Sequence, residues 1–151
     1  MKKPISERFV RRSIQTWLFR NGWGWNYREK ETHEHGIDIQ VQDNSTPNHS
    51  RRFFIEIKGA SSSKSARQVS ESSFVHVLGQ IITRMKVVAP WSYRYGIGLP
   101  EASANIAIRR IPYKVAKVLS LYVFSVGASG KVKCYTPTEL KKIQRSQKKN
   151  R

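Results

Sequence analysis

The stretch from Arg52 to Gly59 (RFFIEIKG) constrains the fold most, because it has the composition of a buried strand yet carries an acid and a base. Phe53, Phe54, Ile55 and Ile57 predict a strand apolar enough to run through the middle of a sheet. Alternate side chains of a strand share a face about 7 Å apart, which makes Glu56 and Lys58 neighbours. A carboxylate and an ammonium are costly in such a strand unless they are paired, coordinated or used in chemistry.

Such a strand needs partners. Gly36 to Gln42 alternates Ile37, Ile39 and Val41 with Asp38, Gln40 and Gln42, the pattern of a second strand. The turn-rich run from Asp43 to Ser50 (DNSTPNHS) connects the two, so antiparallel pairing is expected. Trp23 to Glu31 alternates loosely and reads as a further strand ahead of them, at an edge or half exposed.

Upstream, Phe9, Val10, Ile14, Trp17 and Leu18 recur at helical spacing. Ser6 and Glu7 form an entry signal, and Asn21-Gly22 a stop. Arg8, Arg11, Arg12 and Arg20 make the other side of this helix basic. Downstream, the Ser-rich loop from Gly59 to Arg67 lies directly beyond Lys58. A helix is then expected from about Ser70 to Lys86, with Phe74, Leu78, Ile81, Ile82 and Met85 as its apolar stripe and His76, Gln80 and Arg84 on a polar side. Tyr93 to Leu99 reads as a buried strand.

From Ala104 the pattern is helical, with Pro112 in the first turn of a helix ending near Leu119. Leu121 to Val126 and Lys131 to Tyr135 form a hairpin around Gly127 to Gly130. Lys141 to Arg151 has one apolar residue and six positive charges, and reads as a frayed helix or a disordered basic tail. The fold class is therefore α/β, a mixed sheet flanked by helices in one domain over residues 1–137, with a basic tail at 138–151. There is no internal repeat.

Charge narrows the partners. The chain of 151 residues holds 28 Lys and Arg against 10 Asp and Glu, a net charge of +18 that would repel itself without a polyanion. With 38% hydrophobic residues it has the means to fold and is not a disordered basic arm. Nucleic acid is the leading partner and an acidic membrane surface the second. The lone Cys134 excludes an internal disulfide and a cysteine-built zinc site. No apolar run reaches a membrane span and no signal core follows Met1, so a cytoplasmic protein without a membrane partner is expected.

If the two central strands pair, Asp38, Glu56 and Lys58 gather on one sheet face. Two carboxylates supply hard oxygen ligands suited to Mg²⁺, which retains waters and takes substrate phosphate oxygens as further ligands. Lys58 is placed to hold the phosphate and orient a nucleophilic water. Arg8, Arg11 and Arg12 on the first helix, with Lys64 and Arg67 in the Ser-rich loop, fit backbone phosphate contacts. His33 and His35 close no ligand set and read as solvated loop histidines. Trp91, Tyr93 and Tyr95 read as core rather than as base-stacking residues.

These residues resemble the PD-(D/E)XK nuclease superfamily, which includes type II restriction endonucleases and archaeal Holliday junction resolvases. Asp38 in Gly36-Ile-Asp38 matches the family's first acid, and Glu56-Ile57-Lys58 its (D/E)XK half. Ile37 stands where the eponymous Pro would be. The order helix, three strands, helix, strand over Ser6 to Val126 is similar to the family's αβββαβ core. The resemblance implies a restriction endonuclease-like fold and a Mg²⁺-dependent DNA endonuclease, with Mn²⁺ as an alternative ion. Asp38, Glu56 and Glu7 would be metal ligands, Lys58 a catalytic group, and Gln80 a support from the second helix. By analogy with small members, it also implies a homodimer.

Each residue also carries a plainer alternative. Glu56 and Lys58 could form a surface ion pair, Asp38 could be a turn residue, Glu7 could pair with Arg11 at spacing four, and Gln80 could be a helix-surface amide. The rival functions are a non-catalytic basic nucleic-acid-binding protein and a nuclease subunit of a larger defence or recombination assembly.

Overall fold

A computed structural model describes residues 4–24, 36–43, 51–60, 66–87 and 92–150, and for residues 66–69 the backbone only. The central strand forms as expected: β2 (Arg52–Ile57) is buried at every position from Phe53 to Ile57. It pairs antiparallel with β1 (Ile39–Gln42), Ile39 opposite Ile55 and Gln42 opposite Arg52. On its other side lies β3 (Tyr93–Pro100), parallel, with Glu56 opposite Ile97. β4 (Leu121–Val126) runs parallel to β3, and β5 (Val132–Tyr135) closes the sheet antiparallel to β4 as the expected hairpin. The sheet is mixed, five strands in sequence order.

The strand expected over Trp23 to Glu31 is represented by one antiparallel bridge, Trp23 to Asp43, and by the Gly24 amide donating to the Gln42 carbonyl at 2.7 Å. Its remainder, with His33 and His35, lies outside the described residues, as does Trp91.

Alternation along β2 divides the core. Phe53, Ile55 and Ile57 face α1 (Glu7–Arg20), which buries Val10, Ile14 and Leu18 against them. Phe54 faces the opposite way, into a cluster built with α2 (Ala66–Arg84), α3 (Glu101–Arg110), α4 (Tyr113–Leu119) and α5 (Pro137–Lys149). Glu56 shares the Phe54 face by strand period and so points toward the α2 side. α2 and the α3–α4 pair are the crossovers between parallel strands, and one layer holding both is what a consistent crossover hand requires.

α1 starts and stops where its caps dictate: Ser6 Oγ accepts from the Phe9 amide at 3.2 Å, and Gly22 takes φ +86° just past the helix end. Its N-terminus is seated against the segment after β2, where the Ala60 amide donates to the Ile5 carbonyl at 2.8 Å. A methyl group at Gly59 would lie 2.3 Å from the Glu7 backbone nitrogen and 2.8 Å from the Ser6 carbonyl carbon. Backbone cannot step aside as a side-chain tip can. Gly59→Ala is therefore expected to cost about 1–3 kcal/mol, lowering the melting temperature by roughly 2–4 °C per kcal/mol. An unchanged thermal melt would show that α1 does not dock there.

Three helical expectations change. In α2 Phe74 and Ile81 are buried as expected and Leu78 and Met85 pack partly buried on the same core, but Val77 is fully buried and Ile82 is 46% exposed, so the inward face is shifted from the stripe read in the sequence at these two positions. Pro112 caps α4 instead of lying in its first turn, and α3 begins at Glu101 directly from the end of β3. The basic C-terminal segment is a packed helix, neither frayed nor extended: Thr136 and Glu139 form a reciprocal capping box, and Leu140 is fully buried. Gln144 ties it down, its Nε2 donating to the carbonyls of Ile108 (2.9 Å) and Ile111 (2.7 Å) and its Oε1 accepting from the Tyr113 amide (3.1 Å). Those are groups left open between α3 and α4.

Candidate functional site

The β1–β2 register places Asp38, one residue before β1, opposite Glu56. Gly36, at φ +134°, turns the chain into this position in a conformation that side chains rarely adopt. The Asp38 carboxylate extends the ladder, Oδ2 accepting from the Ile57 amide at 2.8 Å. Its Oδ1 accepts from Arg11 of α1 at 3.2 Å. Hydrogen bonds of this kind to an ionised group contribute about 1.5–3 kcal/mol each, so Asp38 is held from both the sheet and a helix.

Glu56 is 1% exposed. Its Oε1 accepts from Arg84, whose guanidinium also donates to the Gly36 carbonyl. Burial, together with the Asp38 carboxylate beside it, pushes the Glu56 carboxyl up from 4.5 to about 8, and Arg84 offsets this only in part. At neutral pH Glu56 thus holds a proton beside Asp38. Two guanidiniums thus face two carboxyls, and burial is the main reason that Glu56 resists ionising.

Sequence reasoning missed Arg84 here. Its signal is the 3-4-3 spacing of Phe74, Val77, Ile81 and Arg84, which puts the arginine on the buried face of α2. Helical side chains also lean toward the helix N-terminus, which brings this one back over Glu56. Arg11, assigned by sequence to phosphate contact, is instead engaged with Asp38 and lies 3.9 Å from Glu7. Its Nε is buried without a partner among the described residues.

Compared with known proteins, the chain matches no family model, no curated protein and no solved structure.

The other expected site residues fall at different distances from the pair. Lys58 follows β2 immediately, its amide donating to the Gly98 carbonyl at 3.0 Å. Its half-buried side chain makes no hydrogen bond or ion pair among the described residues. Glu7, 44% exposed, is linked to Asp38 only through Arg11, and the alternative of spacing-four pairing is the contact observed. Gln80, half-buried one turn before Arg84, makes no side-chain hydrogen bond to Asp38 or Glu56 among the described residues. Arg8 and Arg12 are exposed on α1; Lys64 and the Arg67 side chain lie outside the described residues. Tyr95 is 4% exposed, a core residue as expected, and its hydroxyl accepts from the Lys86 amide at 3.2 Å.

Among the described residues no three His, Cys, Asp or Glu side chains gather as a metal-binding group. The site is a carboxyl pair on adjacent strands with Lys58 at its edge. Its oxygens suit a hard divalent cation, and Mg²⁺ commonly takes one or two protein carboxylates with waters and substrate phosphate. No helix among the described residues is long and apolar enough to cross a membrane.

Proposed function

We propose that the protein is a Mg²⁺-dependent DNA endonuclease of the PD-(D/E)XK type. The observation that carries this reading is the contact of Asp38 and Glu56 across adjacent strands, with burial holding the Glu56 carboxyl at about 8. Nature seldom leaves two carboxyls together in a sheet interior unless a proton or a cation between them has a use. The topology supports the same reading over part of the core: α1, an antiparallel pair carrying both acids, the α2 crossover and a parallel strand follow one another as in the family, while of the first of its three strands only the Trp23–Asp43 bridge lies among the described residues.

Asp38 and Glu56 would hold the ion, with Glu7 able to approach from the head of α1. When bound, Mg²⁺ lowers the pKa of a coordinated water and offsets charge developing on the phosphate. Lys58 donates to a phosphate oxygen and orients the attacking water, a role suited to an ammonium at the end of a buried strand. The charge of +18 draws the DNA backbone toward the site. By analogy with small members of the family, two copies of the chain would place one such site on each strand of a duplex.

One observation favours the rival reading, a non-catalytic basic nucleic-acid-binding protein: Arg11 and Arg84 contact the two carboxylates and could make them structural. Incubation with supercoiled, linear and four-way-junction DNA separates the two. The nuclease reading expects cleavage with Mg²⁺ or Mn²⁺, none with EDTA, and a loss of about 10²-fold or more for Lys58→Ala. Cleavage that survives EDTA, or a Lys58→Ala protein as active as the parent, rejects it.

A further inference from the structure

A second feature lies on the α1 side of the sheet, away from the carboxyl pair. The outer flank of α1 and the turn between β4 and β5 enclose a groove of about 560 Å³. One wall carries Phe9, Arg12, Thr16 and Arg20, and the other Ser129 and Lys131; none of the described residues that line it is acidic. The turn comes down onto the helix at Gly130, where a methyl group would lie 3.5 Å from both Phe9 Cζ and Ser13 Oγ. Below, Trp17 is fixed edge-on against Phe124, ring centroids 5.5 Å apart.

We propose that this groove holds a single-stranded segment of nucleic acid leading away from the Asp38–Glu56 site, with phosphates on Arg20 and Lys131 and a base against Phe9. The placement follows from α1. Its head is seated beside Gly59, one residue past Lys58, and its tail is about 16 Å farther on at 1.5 Å per residue from Phe9 to Arg20.

The chemistry of the walls selects the ligand. Cations with serine and threonine hydroxyls suit phosphate and sugar. Phe9, 37% exposed, offers aromatic surface on which an unpaired base can stack, whereas bases in a duplex are already stacked on one another. A convex basic surface would attract any polyanion; a groove with an aromatic side chain in its wall prefers a strand with free bases. The ligand's identity rests on the nucleic-acid reading above, whereas the groove itself does not depend on the carboxyl chemistry.

Binding is measured by fluorescence anisotropy in EDTA, with labelled single-stranded DNA and a duplex of the same length. Arg20→Ala/Lys131→Ala should weaken single-strand binding and reduce the slope of log K against log salt by about 1.4, two contacts at 0.7 each. Phe9→Ala should weaken single-strand binding at least fivefold, a single stacked base, and leave duplex binding within about twofold. Phe9→Leu, which keeps apolar bulk without the flat ring, should lose the same preference, so a packing defect is not mistaken for it. Lys142→Ala/Lys149→Ala removes equal charge from exposed positions on α5, across the sheet, and should leave the slope nearly intact.

If that α5 variant matches the groove variant, binding is spread over the whole surface and the groove assignment falls. It also falls if the groove variants lose affinity only for phosphatidylserine vesicles and not for DNA. A parent protein that shows no Mg²⁺-dependent cleavage but loses single-strand binding in the groove variants would overturn the nuclease reading alone.

Discussion

Asp38→Asn is expected to reduce Mg²⁺-dependent cleavage by at least about 10²-fold while leaving DNA affinity within about twofold. The substitution is chosen for what it keeps. Asn still offers a carbonyl oxygen to the Ile57 amide, so the end of the β1–β2 ladder survives. What it removes is the negative charge that faces Glu56 and draws Arg11 in from α1. The Glu56 carboxyl should fall back from about 8, because one of the causes raising it is gone. A single remaining carboxylate with an arginine already beside it is a poor place for a divalent cation. The proposed DNA binding, which would be carried by the excess of basic residues, should be untouched. Single-turnover cleavage and anisotropy on the same preparations check the two halves, with a thermal melt to confirm folding. Cleavage reduced less than tenfold would mean that Asp38 holds no ion, and a parallel loss of binding would mean that the site is part of the docking surface.

The sheet was legible in the sequence to the extent that alternation and turn residues carried it. β2, β3 and the hairpin are near-continuous apolar or aromatic runs bounded by Gly, Pro and Ser, and their lengths read almost directly. That Asp38 and Glu56 share a sheet face was also legible from alternation, whereas the register that sets them opposite each other was not, because a connection as long as Asp43 to Arg51 allows more than one. Helix faces were read less well. In α2 Val77 turns inward and Ile82 outward, and Arg84 crosses from the solvent side to the sheet side. Periodicity alone cannot settle which positions turn inward when both faces hold apolar residues. The tail failed for another reason. Leu140 and Gln144 are the anchoring residues of α5, and an amide that satisfies three backbone groups of other helices leaves no mark in composition. Arg11 looked like one of several surface cations, and only the fold shows which of them turns inward.

The buried acid makes a prediction about the protein before any ion or DNA is added. Glu56 titrates near 4.5 when unfolded and at about 8 in the fold, so between those values the folded state holds a proton that the unfolded state has released. Stability should therefore fall as pH rises through this window and level off above it, a loss on the order of a few kcal/mol seen as a melting temperature lower by several degrees. Glu56→Gln cannot ionise. It should flatten the profile, melting near the parent at pH 5 and above it at pH 8.5. Arg84→Met should act in the opposite direction. Without its guanidinium the Glu56 carboxyl rises further, so the variant approaches the parent at pH 5 and falls below it at pH 8.5. The cost is less than that of a fully buried pair, since the Arg84 side chain is 28% exposed. In the double variant most of the alkaline loss should disappear, because no charge remains to be left alone. Millimolar Mg²⁺ adds the functional half: a cation that prefers the ionised pair should raise the parent's melting temperature more at pH 8 than at pH 6, and have no such effect on Glu56→Gln. Parallel profiles for the parent and Arg84→Met would show that the arginine does not face this acid. A Mg²⁺ effect that persists in Glu56→Gln would move the ion away from the carboxyl pair, and with it the chemistry assigned to Lys58.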